Sequence, residues 1–192
     1  MQNRFLDLIL MLVIMATLAL PLAAQDQPAA GLTKTADGFT HEMSKSTFTL
    51  PAGWRVEPAQ AVVIGKVTTL GVRSGPPPGQ SDPAIEVTIS WSPLVIKMQE
   101  AVTQENLQIG QIYGVEKVTK AEAAMANDKP GYKIKIDNGP TRNGKETGVV
   151  YLFEAGPDEK NRWKIKVRST VSKMAEAEHL KAVEALIQNI KW

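Results

Sequence analysis

From residue 38 onward the apolar positions mostly recur with a period of two, and twice the pattern switches to helical spacing. Residues 39–40 and 46–50 have strand character, and Pro51-Ala52-Gly53 forces a turn before Trp54. Trp54, Val56, the run at 61–64 and residues 67–72 continue the β signal. The stretch 74–83, SGPPPGQSDP, cannot hold a hydrogen-bonded ladder and is read as a loop. In 84–91, Ile85, Val87 and Ile89 share one face and Glu86, Thr88 and Ser90 the other.

Ser92-Pro93 then reads as a helix start, with a capping hydroxyl and a proline in the first turn. Val95, Met98, Val102, Ile109 and Tyr113 follow at near-helical spacing, with a polar gap at Glu105 and Asn106 and a stop at Gly114. A weaker strand at 116–123 precedes a meander of three, at 131–137, 146–154 and 162–171. Asn138-Gly139 and Asn143-Gly144 mark one connection, and Gly156-Pro157-Asp158 the next. A helix over 173–189, with Ser172 as N-cap, places Leu180, Val183, Ile187 and Ile190 on one stripe. The pattern predicts an α+β domain, a largely antiparallel sheet with helices packed on it.

The N-terminus follows another rule. Arg4 precedes an almost continuous apolar run over 5–20, broken by Asp7 and Thr17 and closed by Pro21 and Leu22-Ala23-Ala24. The run is short of the ~20 residues a spanning helix needs and leads into a small-residue cleavage site. Residues 1–24 are therefore read as a signal peptide, 25–37 as a flexible leader, and 38–192 as a single domain. On that reading the protein is exported, to the periplasm or beyond, and keeps no transmembrane anchor after cleavage. The 168 residues after position 24 suffice for one domain to bury about 70% of its unfolded surface. The chain has no cysteine, which excludes disulfides, thiolate metal sites, a thiol nucleophile and a lipid anchor on cysteine. A net charge of +2 gives no reason to expect nucleic acid.

Tests for chemistry come back weak. Gly139 to Glu146, GPTRNGKE, nearly matches a phosphate-binding loop, but Glu146 lacks the hydroxyl needed for Mg²⁺ and the segment joins two strands. His41 and His179 show no helical metal-pair spacing, and each is read as solvated or locally hydrogen-bonded. No nucleophile–base arrangement is recognisable, so no catalytic residue, metal or cofactor is assigned. Trp54, Trp163 and Tyr132 are expected to be largely buried.

The most distinctive constellation is basic. In YKIKID, Lys133 and Lys135 alternate with Tyr132, Ile134 and Ile136. In RWKIKVR, Lys164, Lys166 and Arg168 alternate with Trp163, Ile165 and Val167. A meander pairing 137 with 146 and 154 with 162 sets Lys133, Val150 and Lys166 in one row and Lys135, Gly148 and Arg168 in the next. Five cations would then share one sheet face, either as a binding surface for anions or acidic proteins or as a solvated face.

The segment 46–54, STFTLPAGW, and the ending ALIQNIKW at 185–192 resemble the PsbP-like superfamily, which includes DcrB-type envelope proteins and Ran-binding Mog-type proteins. The resemblance covers 38–192 and implies an α/β/α sandwich around an antiparallel sheet, in mostly non-enzymatic binding or assembly factors. The chain departs from lipoprotein members in lacking their cysteine, and no site residue transfers from the family. The leading expectation is an exported, non-enzymatic protein that binds another envelope component. The alternatives are a binder of a small anionic ligand or lipid headgroup and an unrecognised hydrolase.

Overall fold

The structure, a computed structural model, describes residues 31–75, 85–141, 144–172 and 176–192. The predicted signal peptide, the start of the leader and most of the proline-rich loop lie outside them.

Four strands form a small sheet: β1 (Leu32–Lys34), β2 (Gly38–His41), β3 (Ser46–Thr49) and, from the far end of the chain, β11 (Ile190–Lys191), in that order. A larger sheet is built from β4 (Trp54–Ile64), β5 (Val67–Ser74), β6 (Ile85–Pro93), β7 (Glu122–Ala126), β8 (Lys129–Thr141), β9 (Gly144–Ala155) and β10 (Trp163–Ser172). Its order is β4-β5-β6-β10-β9-β8-β7, and among the described residues every strand pairing in both sheets is antiparallel. Helix α1 (Met98–Tyr113) packs on one face of the large sheet. Helix α2 (Glu176–Gln188) and the small sheet pack on the other. The expected α+β class, antiparallel sheet and two helices are therefore present. No helix among the described residues is long and apolar enough to cross a membrane.

Strand β9 explains the layering. Val149, Val150, Tyr151, Leu152 and Phe153 are all buried, the continuous apolar run of a strand covered on both sides. Val150 and Leu152 meet Val102 and Ile109 of α1 together with Ile134 and Ile136 of β8. Val149, Tyr151 and Phe153 face the opposite core, which α2 fills with Val183, Leu186 and Ile187 and the small sheet with Leu32, Phe39 and Phe48. Trp91 of β6 lies at the centre of this second core, edge-on to Phe39 and Phe48 and stacked on His41. Trp163 is buried as expected; Trp54 and Tyr132 are only half-buried.

Several expectations are corrected. Leu32–Lys34 lies inside the predicted leader but forms a strand paired with β2, and Leu32 is buried. Ser92 and Pro93 do not start a helix. They extend β6, because Lys164 and Trp163 of β10 stand opposite them, and α1 starts only at Met98. Part of the weak strand at 116–123 is a 3₁₀ turn, Val115–Lys117, and β7 begins later. Ile190 leaves the final helix and enters β11, where it pairs with Phe48. The phosphate-loop-like segment joins β8 to β9 as a hairpin closed at Thr141 and Gly144; Arg142 and Asn143 lie outside the described residues.

Candidate functional site

The five cations singled out in the sequence do not share one face. Lys133 pairs with Tyr151, not Val150, and Lys135 pairs with Val149. This one-residue difference in the β8–β9 register turns both lysines toward α2. The β9–β10 register differs from the predicted one by two residues, which preserves sidedness: Arg168 stands across from Val150, Lys166 from Leu152 and Lys164 from Glu154. The expectation assumed that β8 and β10 bury the same side. In fact β8 buries Ile134 and Ile136 beneath α1, while β10 buries Ile165 and Val167 beneath the opposite layer. A sheet covered on both faces lets neighbouring strands point their apolar residues in opposite directions.

On the α2 side, Lys133 Nζ donates to Glu184 Oε1 at 2.7 Å, and the Tyr151 hydroxyl donates to the same oxygen at 3.0 Å. The hydrogen bond from Lys133 holds the Glu184 pKa below the usual carboxylate range. Burial of Lys133 opposes its charge, yet its hydrogen bonds to Glu184 and Tyr151 win and raise its pKa. Burial lifts the Tyr151 phenol to about 12. Lys133 is thus tied to an interlayer contact.

The α1 side is organised around a residue that sequence reading left as a polar gap. Glu105 turns inward, its side chain only 6% exposed. Lys166 Nζ donates to Oε1 at 3.0 Å, and Lys164 Nζ lies 3.5 Å from Oε2. One helical stretch further on, the Arg168 guanidinium donates to the Tyr113 hydroxyl and lies over its ring. Three cations on alternate positions of β10 thus meet one carboxylate and one phenol from α1. The signal for Glu105 was present in the sequence, since it falls one turn from both Ala101 and Ile109 on the buried stripe.

Beyond β10 the same sheet face continues over β6 and β5 with mostly short polar side chains and reaches Val62 and Glu57 on β4. One row reads Lys166, Ser90, Thr69, Val62 across the four strands. The next reads Arg168, Thr88, Gly71, Glu57. Thr88 is exposed, and Ser90 and Thr69 are half-buried. Further along, Arg73 pairs with Glu86 at 3.1 Å.

Both histidines are buried and engaged in local hydrogen bonding. Trp91 Nε1 donates to Ser46 Oγ at 3.1 Å, the Ser46 and Ser44 hydroxyls lie 2.8 Å apart, and Ser44 Oγ lies 2.9 Å from His41 Nδ1. The Ser44 backbone N–H also donates to Nδ1, which makes that nitrogen an acceptor and puts the proton on Nε2. Ser169 donates to the Glu86 carbonyl and therefore accepts from His179 Nε2–H. Burial lowers both pKa values to about 4. Among the described residues no group of three or more His, Cys, Asp or Glu could hold a metal ion.

The chain is similar to solved structures. LpqN of Mycobacterium tuberculosis, described as involved in cell envelope biogenesis, is 11% identical and superposes with a TM-score of 0.56 over 77% of this chain and 82% of that one. The cyanobacterial PsbP of Synechocystis sp. PCC 6803 (12% identity, TM-score 0.48) is matched over 86% of this chain and 95% of that one. The Ran-binding protein Mog1p of Saccharomyces cerevisiae (11%, 0.45) is matched over 76% and 89%. The likeness to LpqN, at that identity, shows a shared fold alone. No family model matches the sequence, and no curated protein does.

Proposed function

We propose that this chain is an exported, non-enzymatic accessory protein of the cell envelope that binds an anionic partner through the α1-side face of β10. One observation carries the reading: Lys164, Lys166 and Arg168 converge where Glu105 is, among the described residues, the only carboxylate in an ion pair with them, beside an open, hydroxyl-bearing sheet face. A clustered positive excess of this kind attracts anionic surfaces and steers their approach. The fold shared with LpqN, an envelope-biogenesis protein, is consistent with such a role. Both histidines are committed to the core, which leaves neither accessible as a general base.

The test is capture of envelope components by the purified chain. Lys164→Glu with Arg168→Glu keeps the Lys166–Glu105 bond and should abolish capture. Lys135→Glu, on the other face, should preserve it. Capture by wild type should weaken steeply with salt, because exposed charges are screened within about 8 Å at physiological ionic strength. Undiminished capture by the double variant at low salt would place recognition elsewhere.

A further inference from the structure

The open face ends in a feature the cationic reading does not use. β4 and β5 close a hairpin in which Ile64 pairs with Val67 around the apex Gly65-Lys66, and Gly65 has φ 61°, the left-handed region that favours glycine. Val62, Val63, Ile64 and Val67 around that apex are 44, 40, 75 and 39% exposed. The exposed aliphatics occupy both faces of the ribbon. Val62 lies in the row of Thr69, Ser90 and Lys166, and Val63 points to the opposite side, beside Thr68. At the same end of the sheet, the link between β6 and α1 exposes Val95 at 89%, two residues before exposed Lys97.

We infer that this hairpin tip inserts into the surface of an anionic lipid bilayer, with the cations beside it resting on the headgroups. A protein surface packed on one face of the ribbon would leave the aliphatics of the other face in water. End-on entry into an apolar medium removes both sets at once. The charge pattern fits the same orientation: Lys66 at the apex and Lys97 nearby are placed for phosphate. Interfacial segments bury their apolar side only about 5–10 Å deep, a depth this tip can reach. The inference extends the anionic-partner reading by naming a lipid surface, but it turns on tip residues that the capture experiment leaves unaltered.

Because the chain has no cysteine, Ile64→Cys takes a single environment-sensitive fluorophore. Vesicles of phosphatidylglycerol and phosphatidylcholine should shift its emission to the blue, while the same label at Met43→Cys, in the small-sheet region, should not respond. Ile64→Asp and Val67→Asp, on an exposed turn, should keep the melting temperature and lower the fraction co-floating with these vesicles about tenfold. The N-terminal apolar segment is common to all variants, so these differences read the tip. No shift of the Ile64 label at low salt, an equal shift at Met43, an equal response to phosphatidylcholine alone, or co-flotation unchanged by the aspartates would each overturn the inference. So would a shift that grows with protein concentration in the absence of lipid, which would mark the tip as a contact between copies of the chain. Loss of capture with an intact lipid response, or the reverse, separates the two readings.

Discussion

Lys166 of β10 donates to Glu105 of α1 across 3.0 Å, and this contact joins a helix to a strand 61 residues away. The carboxylate is buried, while its lysines keep about a quarter to a third of their side chains in water. The asymmetry decides what each substitution costs. Removing both lysines, Lys164→Met with Lys166→Met, leaves an uncompensated buried charge and should destabilise by about 3 kcal/mol. Adding Glu105→Gln in that background should restore most of the loss, a non-additivity that denaturant titration of the variants would measure. Equal midpoints for the double and triple variants would mean that the carboxylate is not paying a burial cost.

Acid should unfold the protein in two stages. His41 and His179 titrate near 6.5 when unfolded and at about 4 when folded. Between those values the unfolded chain binds more protons, so the contribution is complete above 6.5 and is lost as pH falls toward 4. Each histidine accounts for about 3 kcal/mol over that window. The cause is specific: a proton on His41 Nδ1 would face the Ser44 N–H that already donates to it, and His179 Nδ1 is buried without a partner. Glu154 and Glu184, both held below the usual carboxylate range by hydrogen bonds from Arg162 and Lys133, add a further loss at lower pH. His179→Gln should flatten the upper stage, as followed by thermal melts between pH 7 and pH 4.

Packing sets the next expectation. Trp163→Ala empties a buried site that contacts the His41 ring and should cost roughly 3–5 kcal/mol. Gly131→Ala should also destabilise, by about 1–3 kcal/mol, although it adds one methyl group. A Cβ there would lie 2.3 Å from Phe153 Cδ1 and 2.6 Å from the Leu152 carbonyl oxygen, and the carbonyl cannot yield without breaking the ladder. Chemical denaturation of each variant checks both numbers.

Export predicts a mature N-terminus at Gln25, after Leu22-Ala23-Ala24. Intact mass measurement of the chain produced in a Gram-negative host should return that species from the soluble envelope fraction. Recovery of uncut residues 1–24 in membranes would instead identify an anchor.

Much of the fold was legible because its signals are local. The alternation in 84–91, the helical stripe ending at Gly114 and the three-stranded meander reappear as elements, although Asn138-Gly139, read as part of the first connection, lies within β8 and the hairpin closes at Thr141 and Gly144. What escaped depends on distant partners. β11 has two residues and no pattern of its own; it exists because Phe48 is across from Ile190. Leu32 looked like part of a flexible leader because its burial is supplied by the large-sheet core. The five cations divide between two faces for a similar reason. Alternation fixes which residues of a strand go together, but not which layer they face, and β8 and β10 bury opposite sides. Glu105 was passed over because a carboxylate on an apolar stripe reads as a gap until its two lysines arrive from β10.

The pairing of β3 with β11 also constrains the order of assembly. Residues 47–48 receive their last hydrogen-bonded neighbours from residues 190–191, more than 140 positions later, so the small sheet is incomplete until those residues are available. Closing so long a loop is slow, because its entropy must be spent before any contact repays it. Until then Phe48 and Ile190, both fully buried at the end, have no mutual cover. A chain emerging residue by residue therefore cannot seal this layer as it appears, and the layer stays open until residue 191 has emerged.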